Sequence, residues 1–184
     1  MPRRRFDITP YRNVLLFAIA MVAADVVWKL LIHGEERLGE TVLLAGLDVT
    51  GFFDAQCKWI AGAVYSIISL FDQSIRLVHD VILRYDNGNS TSVVWSCTPV
   101  KQMFIYTCIM LATPPYRSWH KLWFVGAGWI VLYGVNILRI AIVAAVIKNH
   151  PDWFEVTHTY VLKYAFYGIL FALWLLWVSL MQKK

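Results

Sequence analysis

From Asn13 to Ile32 the chain runs 20 residues with only Asp25 and Lys29 charged. At 1.5 Å per residue that is about 30 Å of helix, the thickness of a bilayer's hydrocarbon core. Three further apolar stretches follow, Pro99 to Thr113, Trp119 to Ile147 and Tyr160 to Met181. They are separated by Pro114-Pro115-Tyr116-Arg117 and by Asn149-His150-Pro151-Asp152. These breaks predict four spans, over 13–32, 99–113, 119–147 and 152–181. Composition agrees: 59% of the 184 residues are apolar and 16% charged, against about 45–50% and about 25% in soluble domains. A soluble enzyme, a disordered tail and a disulfide scaffold are thereby disfavoured, and three cysteines are too few to staple a chain of this length.

The formal charge of +5 is not spread as in a nucleic-acid binder. With alternating spans, Arg3, Arg4, Arg5, Arg12, Arg117, Lys121, Lys183 and Lys184 fall on one side, where Asp7 is the acid. Glu35, Glu36, Glu40, Asp86, Asp152 and Glu155 fall on the other. Since cytoplasmic loops carry the excess of lysine and arginine, both termini are expected in the cytoplasm and segment 33–96 outside. The arginine-rich start resembles a signal peptide, but no small-residue cleavage pattern follows, so a retained anchor is expected. Within 33–96 the apolar pieces, Val42 to Phe53 and Trp59 to Phe71, are too short to span, and are expected at the interface or dipping into the bilayer and back. Ala55 to Leu77 has the spacing of an interfacial amphipathic helix, with Ile60, Val64, Ile67, Ile68, Phe71 and Ile75 on one face. Val81 to Tyr85, the turn residues Asp86-Asn87-Gly88-Asn89-Ser90, and Val93 to Trp95 predict a small external β-hairpin running into Cys97. The expectation is an all-α polytopic membrane protein, a single membrane domain over 1–184.

Ser96-Cys97-Thr98-Pro99 reads as a helix start, with Thr98 as N-cap and Pro99 as first helical residue. A cysteine just outside a helix N-terminus, with Lys101 a turn further on, is placed to favour its thiolate; a small apolar residue packing at a helix end is the other reading. Arg139 lies 20 residues into its span, where an arginine costs at least about 2.5–3.5 kcal/mol and normally has a partner or a task. Asn136, one turn earlier on the same face, can share its network, although Arg139 could also snorkel to the headgroups. His158 lies seven residues past Pro151 and Arg139 nine before Lys148, so on antiparallel helices the two differ in depth by roughly 3 Å. Counted from the turn at Arg117, Cys97 and Arg139 stand 20 and 22 residues up. A thiol, an imidazole and a guanidinium in one apolar slab form a set that can perform acyl transfer: nucleophile, general base and oxyanion stabiliser.

On these residues the chain resembles the exosortase and archaeosortase family of membrane-embedded cysteine transpeptidases. The resemblance is carried by Cys97 at a helix start, Asn136-Ile137-Leu138-Arg139-Ile140 within a long span and His158 at the head of the last, over roughly Val81 to Trp177. It implies Cys97 as nucleophile, His158 as base and acid, and Arg139 as stabiliser, with Asn136, Lys101 and Thr98 in support. The implied substrates are membrane-anchored proteins ending in a sorting signal, namely a short motif, a transmembrane helix and a basic cluster. That signal is cut at the outer membrane face, and the protein can be passed to a surface polysaccharide or lipid acceptor. Larger relatives have about twice as many spans, and many follow the cysteine with Ser-Gly where this chain has Thr98-Pro99.

Other features are read as structural. Cys108 is a small core residue, Cys57 lies on the interfacial helix within conceivable reach of Cys97, and Asp25 and Lys29 neutralise each other. Trp28, Trp59, Trp95, Trp119, Trp123, Trp153, Trp174 and Trp177 form an aromatic belt, and Gly126, Gly128 and Gly134 allow close helix contact. No metal, cofactor or nucleic acid is expected. Two rivals stay open from the residues alone: a small transporter or channel subunit with Arg139, Asn136 and His158 along a polar path, and a catalytically silent assembly partner.

Overall fold

The structure, a computed structural model, describes residues 9–114, 119–153 and 162–182. It contains α1 (Thr9–Leu31), α2 (Thr50–Ser69), α3 (Val100–Ala112), α4 (Trp119–Asn149) and α5 (Leu162–Gln182). Two three-stranded antiparallel sheets join them, β1 (Ile32–His33), β2 (Leu43–Leu44) and β3 (Leu47–Asp48), then β4 (Ile75–Val78), β5 (Ile82–Tyr85) and β6 (Ser90–Ser92). The end of the bundle that carries α2 and both sheets is called the head below.

α1 and α4 are long and apolar enough to cross a membrane. α3 is shorter than the 99–113 span expected of it, since its 13 residues make about 20 Å. α4 is longer than expected, 31 residues or about 46 Å. The last helix is described over Leu162–Gln182; Pro151–Trp153 form a 3-10 turn instead of the opening of an α-helix at 152, and His158 lies outside the described residues.

The segment expected to lie flat as a helix from Ala55 to Leu77 is different in both ends and in posture. α2 stops at Ser69 because Asp72 opens a tight turn, its Oδ1 accepting from Ser74 N at 3.0 Å and Ser74 Oγ at 2.7 Å. Ile75 then enters β4, where it is buried. β4 and β5 connect through His79, Asp80 and Val81, the first two with left-handed φ (50° and 62°), between the paired residues Val78 and Ile82. The expected hairpin is thus the second half of a three-stranded meander. Residues 42–53, expected at the interface or dipping into the bilayer, supply β2, β3 and the first turn of α2, with a two-residue hairpin turn at Ala45 and Gly46 (φ 49° and 87°) between the paired Leu44 and Leu47.

α2 stands beside α4 instead of lying across it. The Tyr133 hydroxyl bonds Gln56 and its ring meets Trp59 edge-on at 5.1 Å, while Lys148 pairs with Asp72. Sixteen residues from Gln56 to Asp72 therefore run alongside fifteen from Tyr133 to Lys148, in the same direction. The stripe Cys57, Ile60, Ala61, Val64 and Ile68 is consumed by a core shared with Leu83, Val93 and the outer half of α4 (Ile140, Ala141, Ala144). Asn87 and Asn89 side chains donate to the carbonyls of Lys148 and Ile147, tying the meander to the end of α4.

A second core fills the bundle, where Phe17, Ile105, Ile109, Leu132, Leu170 and Trp174 meet. α3 and α4 approach closely at Gly128, where an added Cβ would stand 2.3 Å from the Tyr106 ring; Gly126 and Gly134 face open space. Lys121, expected among the headgroup-facing basic residues, is only 3% exposed and donates to the Thr113 carbonyl at 2.6 Å, next to the C-terminus of α3. Cations are favoured there because the last helical carbonyls lack intrahelical donors.

Candidate active site

Cys97 ends a single 3-10 turn, Trp95–Cys97, wedged between β6 and α3. Cys97 N donates to Val94 O at 2.8 Å and Thr98 N to Trp95 O at 3.1 Å. Thr98 does not cap α3: the N-cap is Pro99, without a side-chain cap bond, and the Thr98 hydroxyl donates back to Trp95 O at 2.8 Å. Its function in the fold is to close the turn that holds the cysteine. Trp95 anchors the other side, its indole N–H donating to Glu35 O at 2.9 Å and its ring meeting Phe53 at 5.8 Å.

Asn136 joins α4 to this turn. It has 0% exposure and its Nδ2 donates to the Cys97 carbonyl at 2.9 Å, while its Oδ1 has no partner among the described residues. A buried amide is costly unless bonded, so this bond fixes the height of the cysteine against α4, about 25 Å from Trp119. Arg139, one turn on, is partly buried and acts electrostatically on the Cys97 thiol. The structure therefore brings Cys97, Asn136 and Arg139 together.

Lys101 is directed elsewhere. Its Nζ lies 2.7 Å from Asp25 Oδ1, and Lys29 Nζ lies 2.8 Å from Asp25 Oδ2. The expected Asp25–Lys29 pair is in fact a triad linking α1 to α3, and Lys101 is not among the groups that set the thiol's acidity. The surroundings of the sulfur also work against the expected thiolate. Burial, the largest influence, pushes the Cys97 thiol up; a hydrogen bond from the Val94 backbone, Arg139 and Ser96 oppose it, and Glu36 adds to it. Cys57 packs in the adjoining core with its thiol pushed up to about 12, chiefly by burial, and both cysteines are free.

A half-open cavity of about 370 Å³ reaches Ser96, Thr98 and Arg139 from the α1–α5 side, with Gln102 on its α3 wall. The Cys97 side chain itself packs against the core of α2 and α4 and does not line the cavity. Nothing in the sequence pointed to Gln102, to the third member of the charged triad, or to the side on which the Cys97 side chain packs. Each depends on how two helices are rotated against one another, which periodicity in one helix does not report.

The geometry has a counterpart in the comparison with known proteins. Residues 55–181 match the family described as transmembrane exosortase, of the EpsH type. No curated protein and no solved structure gives a match. The match begins inside α2 and runs through both core clusters, the cysteine turn and α4 to the end of α5, more than half of the chain. This chain belongs to the transmembrane exosortase family.

Proposed function

We propose that the protein is a cysteine transpeptidase or peptidase that cuts a carboxy-terminal sorting signal at the outer face of the cell membrane. The observation that carries this reading is the Asn136 to Cys97 hydrogen bond, which sets Arg139 beside the cysteine turn although 39 residues separate the bonded pair. Membership of a family whose members are generally cysteine transpeptidases supports the same chemistry.

In this reading Cys97 Sγ attacks the scissile carbonyl carbon as its proton passes to His158. A thiol raised by burial needs a base in contact at the moment of attack, since a free thiolate at neutral pH is disfavoured. Arg139 stabilises the developing oxyanion. The C–N bond breaks, the departing amine takes the proton from His158, and a thioester remains on Cys97. An incoming amine resolves it by transpeptidation, or water by hydrolysis. Asn136 positions the cysteine backbone, Thr98 closes the turn, and Lys101 supports the site through Asp25. Both termini lie in the cytoplasm with the head outside, as the basic N-terminal segment and the acids Glu35, Glu36 and Glu40 of the head suggest.

The test is Cys97→Ala in the producing cell. The expected result is one or more membrane-anchored proteins accumulating uncut, restored by the unsubstituted gene. Normal processing in the Cys97→Ala strain removes the assignment.

A further inference from the structure

The cavity beside the cysteine turn has an unusual address. Its walls come from the outer turns of α1 (Trp28, Lys29, Ile32) and α5 (Phe166, Tyr167), with α3 and Arg139 behind. Lower in the bundle the same two helices are closed by Phe17, whose ring lies 5.2 Å from Phe171 and 4.9 Å from Trp174. Phe17 is 11 residues before Trp28, about 16 Å along α1. Among the described residues the gap between α1 and α5 is therefore closed at its base by Phe17 and open at the cavity. Lys29 stands at the mouth with its side chain 67% exposed, its charge shared with Asp25.

The volume decides what can enter. About 370 Å³ is the size of a small-ligand pocket and far too small for a transmembrane helix. It suits a short extended peptide whose attached helix stays outside, in lipid against α1 and α5. α1 lies outside the residues matched to the family.

Resting on the function proposed above, the geometry points to the mouth between α1 and α5 as the lateral entry for the sorting signal. The signal's transmembrane helix lies along the outer faces of these two helices, and the short segment preceding it turns in past Lys29 and Tyr167 toward Ser96, Thr98 and Arg139. Trp28, Lys29 and Tyr167 then discriminate among sorting signals, and they do so without touching the reacting bond.

The experiment uses the full-length chain in its own membranes, carrying Cys97→Ala so that substrate is held. The probe is a tagged protein that accumulates uncut in that strain. The photoreactive residue p-benzoylphenylalanine is placed singly at Lys29, at Tyr167, or at the exposed control positions Leu111 and Leu138 on α3 and α4. Crosslinks to the segment before the substrate helix, several-fold stronger from Lys29 and Tyr167 than from the controls, are expected; two positions on different helices guard against one misfolded variant. Crosslinks only from Leu111 or Leu138, or from none of the four, overturn the entry site while leaving the cleavage reading intact. If no protein accumulates uncut in the Cys97→Ala strain, the cleavage reading falls first and the entry site with it.

Discussion

Asn136 carries more of the site than its single hydrogen bond suggests, because no water reaches it and the carbonyl it serves belongs to Cys97. Asn136→Ala leaves that carbonyl without its amide donor, a loss of about 1–3 kcal/mol for a buried acceptor. The expected outcome is a processing rate reduced more in kcat than in KM, with the protein still folded in detergent; unchanged kcat removes the positioning role. Arg139 acts on the same sulfur through charge. Since its guanidinium favours the thiolate, Arg139→Met raises the thiol further, and the pH profile of Cys97 alkylation by iodoacetamide moves to higher pH, whereas Arg139→Lys moves it less. A profile that stays in place refutes the coupling. These three residues could be grouped from the sequence because helices convert residue counts into height, and 20 and 22 residues from a common turn are nearly level. Lys101 could not be placed that way. It sits one turn from Cys97 in sequence, but the rotation of α3 delivers it to Asp25 on α1.

At the scale of elements, the apolar runs of α1 and α4 could be read directly, whereas α2 was read with the right kind of face and the wrong neighbour. Its stripe suits lipid or protein equally, and only the strands that follow decide between them. Asp72 is where that decision is fixed, ending the helix and pairing with Lys148 across the head. The Lys148 ammonium and Ser74 hold its carboxyl down at about 2, below an ordinary value near about 3.9. A carboxyl lowered by folding stabilises fully above its unfolded value and loses that contribution as pH falls through the folded one. Thermal stability is therefore expected to decline between about pH 4 and pH 2, with a shallower decline in Asp72→Asn; identical slopes contradict the pairing. Helix contact gives a second test. Gly128→Ala sets a methyl against the buried Tyr106 ring, and overpacking of this kind costs about 1–3 kcal/mol. Gly126→Ala, facing open space, is expected to be neutral in the same thermal measurement in detergent. Three glycines of one span were equivalent in the sequence; the rotation of α4 singles out one.

For the whole molecule the mismatch between helices is informative. α4 is about 46 Å long and the hydrocarbon core about 30 Å, so hiding all of α4 in lipid requires a tilt near 50°, beyond the range of roughly 0–40° found for membrane helices. Some of its turns therefore leave the bilayer, and the core that its head end shares with α2 and the meander favours that end. With the head outside, as proposed above, Asn136 and the cysteine turn would lie near the outer edge of the hydrocarbon, and the last 10 or so residues of α4 would belong to a small domain in water. Spin labels separate the two halves: a label at Ile130, 76% exposed, is expected to be relaxed by oxygen dissolved in lipid, and one at the exposed Ala145 by a water-soluble nickel chelate. The opposite preference at Ala145 would bury the head in the membrane, place the thiol beyond reach of an aqueous acceptor, and leave water or amine no route to the thioester.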